Sequence, residues 1–594
     1  TMSSHISSPL DHPSLPTLSL TYPSASQSHH RPATLNRRLK ILNLHLFPKR
    51  TYRIGSQGES AMRAGKSSRK ELRHQQDASF LSVDNTLDYL SSPPSPLTQK
   101  LHSMSKQHSL ILKNYTNGIV STPSVPCDGS IIKNNASGGK SASTKLETHT
   151  QEQFHNWAQI HSCTAEKTFY PSTESQIIKI VKKAKKYNKK LKVCGSGHSP
   201  SDIAMCDSKE DWMVHLSKYT GITKIDKNLV QIKGGTTLNE VNAFLEKKGK
   251  CLSSLGSISE QTISGAISTG THGTGISYGN LCSMVEMMRI VDASGHIRVA
   301  KKGDELWSAA VCGLGAVGII CEVTFLVEPL FKLYAIQKPM PLDHVLGNLN
   351  DLINSAEHYR FWWFPHTNNC ISWSANRVGM QTKSSKDIQS LFENFYENMK
   401  DKWIGYHLFE FTLYLGRHFP SLVPTINRFY YYALFSEAKS HVDTSFRVFN
   451  FDCRFKQYVN EWAIPIERTK EALLKLKQII KEEDFKVHLP VEVRFVKRDN
   501  IWMSPSYDRD VCYIGIIMYR PYGTDVPYEK YFDAFEKLMV SLDGRPHWAK
   551  EFSLKKEDFE KMYPKFHDFN RVRKKMDPNG MFMNKYLRRA LGDE

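Results

Sequence analysis

The chain has 594 residues and a formal net charge of +20, with 40% hydrophobic and 11% aromatic residues. That length buries a large core and holds two or more domains. The charge raises nucleic acid, anionic membrane and acidic small molecules as partners. The basic residues are scattered, however, and no nucleic-acid-binding motif accompanies them. Solvated surface is therefore the first reading, membrane contact the second, and no nucleic-acid partner is expected. The 11 cysteines form no CxxC pair, which argues against a zinc site or a disulfide framework.

Residues 1–149 are rich in Ser, Pro, His, Asn and Thr, with weak hydrophobic periodicity, and read as a disordered tail. Globular character begins near Phe154 and Trp157. Pro171 and Ser172 open a helix with Ile177, Ile178, Val181 and Ala184 on one face. A short strand, Leu191–Val193, runs into Cys194-Gly195-Ser196-Gly197-His198-Ser199-Pro200. Glycines there allow positive φ and close approach to a ligand, and successive free amides form an anion-binding concavity. A lone imidazole in such a loop suits a tethered cofactor. After a strand at 229–232, Thr237 and Glu240 form a capping box for a helix that Gly249 ends.

A second small-residue loop, TISGAISTGTHGTG, spans 262–275, followed by a strand, a turn at Ala293-Ser294-Gly295 and another strand. The string GLGAVG at 313–318 satisfies GxGxxG, but it follows a helix and opens a β-branched strand at Ile319. A dinucleotide fingerprint needs the reverse order, so it reads as a helix-to-strand turn touching a ligand. No GxxxxGK[ST] occurs, and Ser268 in GAISTG lies at the wrong offset for the nucleophile elbow of a serine hydrolase. The aromatic stretch 404–436 is interrupted by Glu410, Arg417, His418, Pro420, Pro424 and Arg428. It is either a buried helical pair or a helix seated in a membrane interface.

Two patches carry chemistry. Alternation over 491–495 puts Val491, Val493 and Phe495 on one strand face and Glu492 with Arg494 on the other. They form either an ion pair on a wet sheet face or a carboxylate and guanidinium facing a pocket. Arg545-Pro546-His547-Trp548-Ala549-Lys550 is either packing or a substrate clamp with a cation beside developing negative charge.

In order, FHNWAQ (154–159), CGSGHSPSDIAMCD (194–207), STGTHGTG (268–275), FWWFPHT (361–367), CRFKQYVNEWAIP (453–465), PVEVRF (490–495), GRPHWAK (544–550) and DPNGMFMN (577–584) resemble the aldonolactone oxidoreductases of the vanillyl-alcohol-oxidase flavoprotein superfamily. The resemblance runs from Phe154 to the C-terminus. It implies an α+β fold: a PCMH-type FAD-binding domain over 150–330, a substrate cap domain over 331–550, and a C-terminal return to the FAD domain over 551–594.

The resemblance further implies that His198 bonds covalently to a methyl carbon of the flavin ring. Gly195, Ser196, Gly197 and Ser199, with Gly270, Thr271, His272, Gly273 and Gly275, would cradle the FAD pyrophosphate, and Gly318 would line the same cofactor. Glu492 would orient substrate hydroxyls, Arg494 would stabilise negative charge, Lys550 would hold a substrate oxygen, and Ser257 would add a hydroxyl contact. Gly256 stands where oxygen-unreactive relatives carry an alanine, which implies an open path for molecular oxygen.

The implied reaction is oxidation of L-gulono-1,4-lactone by oxygen to L-ascorbate through the 2-keto lactone, releasing hydrogen peroxide. D-arabinono-1,4-lactone and L-galactono-1,4-lactone are the alternative substrates, with dehydrogenase activity as the alternative to oxidase. The implied location is the endoplasmic-reticulum membrane, alternatively mitochondrial. A non-catalytic, membrane-associated flavoprotein is the reading from another class, and the intact Glu492, Arg494 and Lys550 argue against it.

Overall fold

In the computed structural model, residues 145–385, 403–451 and 455–592 are described, within one compact unit, Ala136–Glu594. The expected disordered tail lies outside the described residues up to residue 144. Its last part does not: β1 (Glu147–His155) begins inside it and pairs antiparallel with β2 (Ser162–Tyr170). The first half of β1 is exposed on both faces, so it lacks the apolar alternation by which a strand is recognised.

Strands β3 (Leu191–Cys194) and β4 (Trp212–His215) complete a sheet of order β1-β2-β4-β3, in which β4 is parallel to both neighbours. The helix Glu174–Lys186 packs Ile177, Ile180, Val181 and Ala184 against it. Its N-cap is Thr173, whose hydroxyl accepts from the Gln176 amide at 3.3 Å, so the helix starts a little after the Pro171-Ser172 pair.

Next come β5 (Ile222–Asp226), β6 (Leu229–Lys233), β7 (Lys250–Cys251), β8 (Val285–Val291), β9 (Ile297–Lys301) and β10 (Ile319–Leu326). Five of them form an antiparallel sheet of order β5-β6-β10-β8-β9, while β7 pairs with β11 (Glu328–Pro329). The helix Leu238–Lys247 has the capping box formed by Thr237 and Glu240. The segment 262–275 departs from the expected loop: Ile263–Ser268 is a short helix. Its small residues give no clear period, and tertiary packing of Ile263, Ala266 and Ile267 settles the conformation.

The remaining strands are β12 (Lys332–Pro341), β13 (His358–Phe364), β14 (Asn369–Val378), β15 (Lys439–Thr444), β16 (Gln457–Pro465), β17 (Val491–Val496), β18 (Val511–Tyr519) and β19 (Arg545–Pro546). They make an eight-stranded sheet of order β15-β12-β14-β13-β17-β18-β16-β19. The C-terminal segment then returns to the first sheet. The Leu191 amide donates to the Met581 carbonyl at 2.8 Å. Asn584 Nδ2 donates to the carbonyls of Asp202, Ile203 and Met205, and Met581 and Phe582 join the core around Ile177 and Leu191.

The aromatic stretch folds as the helices Phe409–His418 and Val423–Leu434. Phe409, Leu413, Ile426 and Tyr430 are buried, while Phe411, Phe419, Leu422, Phe429 and Tyr432 are exposed. Among the described residues, no helix is long and apolar enough to cross a membrane. The nine described cysteines are all free.

Candidate active site

Two cavities meet at His198. The first is a cleft lined by Gly195, Ser196, Gly197, His198 and Ser199 on one side, with Thr262, Gly265, Thr269, Leu314 and Gly318 opposite. The loop is held from behind. Asn156 Nδ2 donates to the Ser199 and Pro200 carbonyls at 3.1 and 3.0 Å, and the Trp157 amide donates to Gly197 at 2.8 Å. Gly197 sits at φ +68°, and a Cβ on Gly195 would fall 2.0 Å from Thr262 Oγ1. Both positions therefore need glycine.

His198 stacks on Trp157, centroids 5.7 Å apart, and its Nδ1 is buried without a hydrogen-bond partner. Burial lowers its pKa, and the Lys550 charge adds to this against the opposing pull of Glu260. The imidazole is thus neutral near pH 7, with an orphaned buried nitrogen in a glycine-bounded cleft. A flavin joined to that nitrogen fits the residues present.

The second cavity, of about 290 Å³, is lined by His198, Gly256, Ser257, Thr271, His272, Glu461, Glu492, Arg494, His547 and Lys550, among others. One face of the eight-stranded sheet forms its floor. Strand register explains the grouping: Trp362 pairs with Glu492, Glu492 with Gly515, and Gly515 with Glu461. One cross-strand row therefore carries two carboxylates with a glycine between them, and the missing side chain leaves the room.

Glu492 Oε1 accepts from Arg494 Nη2 at 2.7 Å and from Trp362 Nε1 at 3.1 Å, with Arg360 Nη1 3.8 Å away. Arg494 also donates to the Ser257 hydroxyl. That loop is pinned in turn: Asn450 Nδ2 donates to the Gly256 carbonyl at 2.8 Å, and the Phe451 amide to the Ser257 carbonyl at 2.9 Å. The ion pair at 492 and 494 thus faces a pocket rather than a wet sheet surface.

The remaining sequence-derived residues divide. Thr271 and His272 line the second cavity. Gly270, Gly273 and Gly275 instead lie against protein: added Cβ atoms would fall 3.3 Å from Pro505 Cδ, 2.7 Å from the Leu255 carbonyl oxygen and 2.7 Å from the Glu357 carbonyl oxygen. The Gly275 amide donates to Phe495 O at 2.7 Å, and the Phe495 amide to Thr274 Oγ1 at 3.2 Å, which ties this segment to β17. Trp548 is fully buried against Phe552, Phe559 and Tyr563, with its indole N–H on the Met503 carbonyl. It is packing, and the pocket takes His547 and Lys550 from its two sides.

Sequence reasoning passed over Glu461, Gly515 and Trp362. All lie in runs quoted for the resemblance or on β18, but only strand register shows that they share a face.

The FAD-binding-domain family matches residues 165–301, and the D-arabinono-1,4-lactone oxidase family matches residues 323–590. L-gulonolactone oxidases of Scyliorhinus torazame and Mus musculus are 41% and 40% identical over 443 residues, covering 74% of this chain and 98% of each relative. An L-gulono-1,4-lactone dehydrogenase of Mycobacterium tuberculosis is 30% identical over 439 residues, with the same coverage. Among solved structures, cholesterol oxidase from B. sterolicum superposes with a TM-score of 0.60 at 14% identity, covering 75% of this chain and 97% of that one, a likeness of fold alone. With a cofactor cleft and a charged pocket joined at one histidine, and with relatives of this extent, the chain belongs to the aldonolactone oxidase family and is an FAD-dependent oxidoreductase acting on aldonolactones.

Proposed function

We propose that the protein oxidises L-gulono-1,4-lactone with molecular oxygen, giving L-ascorbate and hydrogen peroxide, with FAD tethered through His198. The observation that carries this reading is the convergence of His198, Ser257, Glu492, Arg494 and Lys550 on one cavity of about 290 Å³. FAD, when bound, supplies the hydride acceptor and returns two electrons to oxygen.

The chain's own residues do the rest. Oε1 of Glu492 is already taken by Arg494 and Trp362, which leaves Oε2 to accept hydrogen bonds from substrate hydroxyls. Arg494 is locked by its bonds to Glu492 and Ser257. Its positive charge is thus preorganised against the negative charge that develops on the C2 hydroxyl oxygen as its proton passes to water while the hydride leaves C2. Lys550 offers ammonium donors to a substrate oxygen from the opposite wall. The resulting 2-keto lactone enolises to the ene-diol. The neutral, partnerless Nδ1 of His198 supports the tether.

An oxygen-electrode assay on L-gulono-, L-galactono- and D-arabinono-1,4-lactone tests the reading, with peroxide measured in parallel. The expected result is fastest turnover on L-gulono-1,4-lactone with one peroxide per oxygen consumed. Preference for D-arabinono-1,4-lactone, or turnover only with an artificial electron acceptor, refutes it.

We further propose attachment to the endoplasmic-reticulum membrane by the helical pair 409–434. Its outward Phe411, Phe419, Leu422, Phe429 and Tyr432, flanked by Arg417 and Arg428, suit an anionic bilayer interface. The protein should float with vesicles containing anionic lipid, and a Phe411→Ser/Phe419→Ser/Phe429→Ser variant should not. Equal flotation of the two refutes this attachment.

A further inference from the structure

The pocket holds two further groups, Glu461 and His272, to which the reading above gives no task, and Glu461 also faces Lys550. The Glu461 carboxylate stands between two cations: Oε1 is 3.2 Å from His272 Nε2, and Oε2 is 3.8 Å from Lys550 Nζ. The other ring nitrogen of His272, Nδ1, lies 3.0 Å from the Gly273 carbonyl oxygen. A carbonyl only accepts, so Nδ1 bears a proton; an ionised carboxylate only accepts, so Nε2 bears one too. His272 is therefore an imidazolium. The Tyr513 ring lies over it, centroids 3.5 Å apart and planes 13° from parallel, an arrangement that favours a cation.

His547, beside the same carboxylate, has the opposite state. Its Nδ1 accepts from the Ala549 amide at 3.1 Å, so that nitrogen carries no proton and the ring is neutral. Burial lowers its pKa to about 3, in keeping with this assignment. Burial pushes the Glu461 carboxyl up, but the His272 hydrogen bond and the His272 and Lys550 charges outweigh it and hold it below the usual range. With an imidazolium and an ammonium facing its two oxygens, the cluster is an ion-pair network rather than a metal site.

We propose that Glu461 is a positioning residue whose carboxylate faces His272 Nε2 and keeps that ring protonated on both nitrogens, so that with Lys550 the cluster gives the pocket wall one net positive charge toward anions within. The proposal rests on the flavoenzyme reading for its site, and it adds a source of charge on the wall opposite Arg494. The groups facing His272 are Glu461 from β16, Tyr513 from β18, His547 and Lys550 from the segment after β19, and, across the cavity, Glu492 and Arg494 from β17. The last two neutralise each other, which leaves His272 and Lys550 to set the balance against Glu461.

The test uses FAD-loaded protein and sulfite, an anion whose addition to flavin is read as bleaching of the visible absorbance. His272→Asn removes the charge and should weaken sulfite binding at least about tenfold across pH 6–9. In Glu461→Gln the imidazolium loses its counter-charge and titrates. Its sulfite affinity, taken as a ratio to wild type so that sulfite's own ionisation cancels, should therefore fall as pH rises through that range. The Glu461→Gln/His272→Asn double variant should show no such step. A merely structural role moves flavin content and melting temperature but creates no pH step that vanishes with His272.

Wild-type protein that takes up no sulfite overturns the proposal. So does His272→Asn within about twofold of wild type, or Glu461→Gln running parallel to wild type at every pH. Should His272→Asn fail to fold, the near-isosteric Glu461→Gln decides alone by its pH step. A protein that oxidises no lactone yet shows the sulfite pattern refutes the proposed substrate reading and leaves this inference standing.

Discussion

Arg494→Met is the most direct perturbation of the pocket. The Arg494 side chain is 7% exposed and that of Glu492 is 25% exposed. Removing the guanidinium takes away a 2.7 Å charge-assisted bond and the link to Ser257. Glu492 keeps the indole N–H of Trp362 at 3.1 Å and the Arg360 charge at 3.8 Å, so it is not left wholly unpaired. The stability cost should lie between that of exposed and buried pairs, about 2 kcal/mol.

The cost to the reaction should be larger. A preorganised donor to developing charge is worth about 10²–10³ in rate, and Arg494 is fixed in place before substrate arrives. Anaerobic stopped-flow reduction by lactone isolates this step, and a melting curve of the same sample measures the stability term. The expected result is reduction slowed at least about a hundredfold with flavin content intact. Arg494→Lys should recover only part of the rate, because an ammonium cannot reproduce the fork that engages Glu492 and Ser257 together. Reduction by Arg494→Met within about threefold of wild type would refute the assignment of preorganised charge to this residue.

Gly256→Ala should slow reoxidation by oxygen about tenfold or more while leaving reduction by substrate nearly unchanged. The new Cβ would lie 3.0 Å from the His272 carbonyl oxygen and 3.2 Å from Thr271 Cγ2, a fit tight enough to cost about 1 kcal/mol; unchanged stopped-flow reoxidation would exclude an oxygen path there. His198→Ala should lose flavin fluorescence on a denaturing gel and much of the activity, with its melting transition still cooperative; fluorescence that survives denaturation would exclude the tether. Asp499, buried against Ser504 and the Ile501 amide, has its carboxyl raised by burial from 3.8 to about 6. The native state therefore binds the proton more tightly than the unfolded chain, and stability from this group falls as pH rises from about 4 to 6, then levels off. Urea unfolding should show Asp499→Asn gaining on wild type across that window, about 1.4 kcal/mol per unit; a constant difference would exclude the linkage.

The parts of the site legible in sequence were those whose chemistry is local. The Thr237–Glu240 capping box lies within one helical turn, and period-two alternation put Glu492 and Arg494 side by side on one face of β17. The small-residue loop with its histidine needed only the conformational freedom of glycine at Gly197. The segment 262–275 was harder, because Gly, Ser and Ala fit helix and loop alike and only the packing of Ile263 and Ile267 chose between them. Trp548 likewise carries no local sign of which way it points, and burial among Phe552, Phe559 and Tyr563 decided it.

Glu461 shows why the rest stayed hidden. In QYVNEWAIP it is a single acid within an apolar strand, and one-face exposure to solvent explains it without any function. Its role depends on His272, 189 residues away, and on a register in which Gly515 separates it from Glu492. A slip of one residue between β16 and β18 would turn Glu461 to the opposite face and give the pocket Asn460 or Trp462 in its place. The placement of the two carboxylates is therefore encoded less in Glu461 and Glu492 themselves than in the apolar positions of β16, β17 and β18, since these fix the register that brings both, with Gly515 between them, to one face of the sheet.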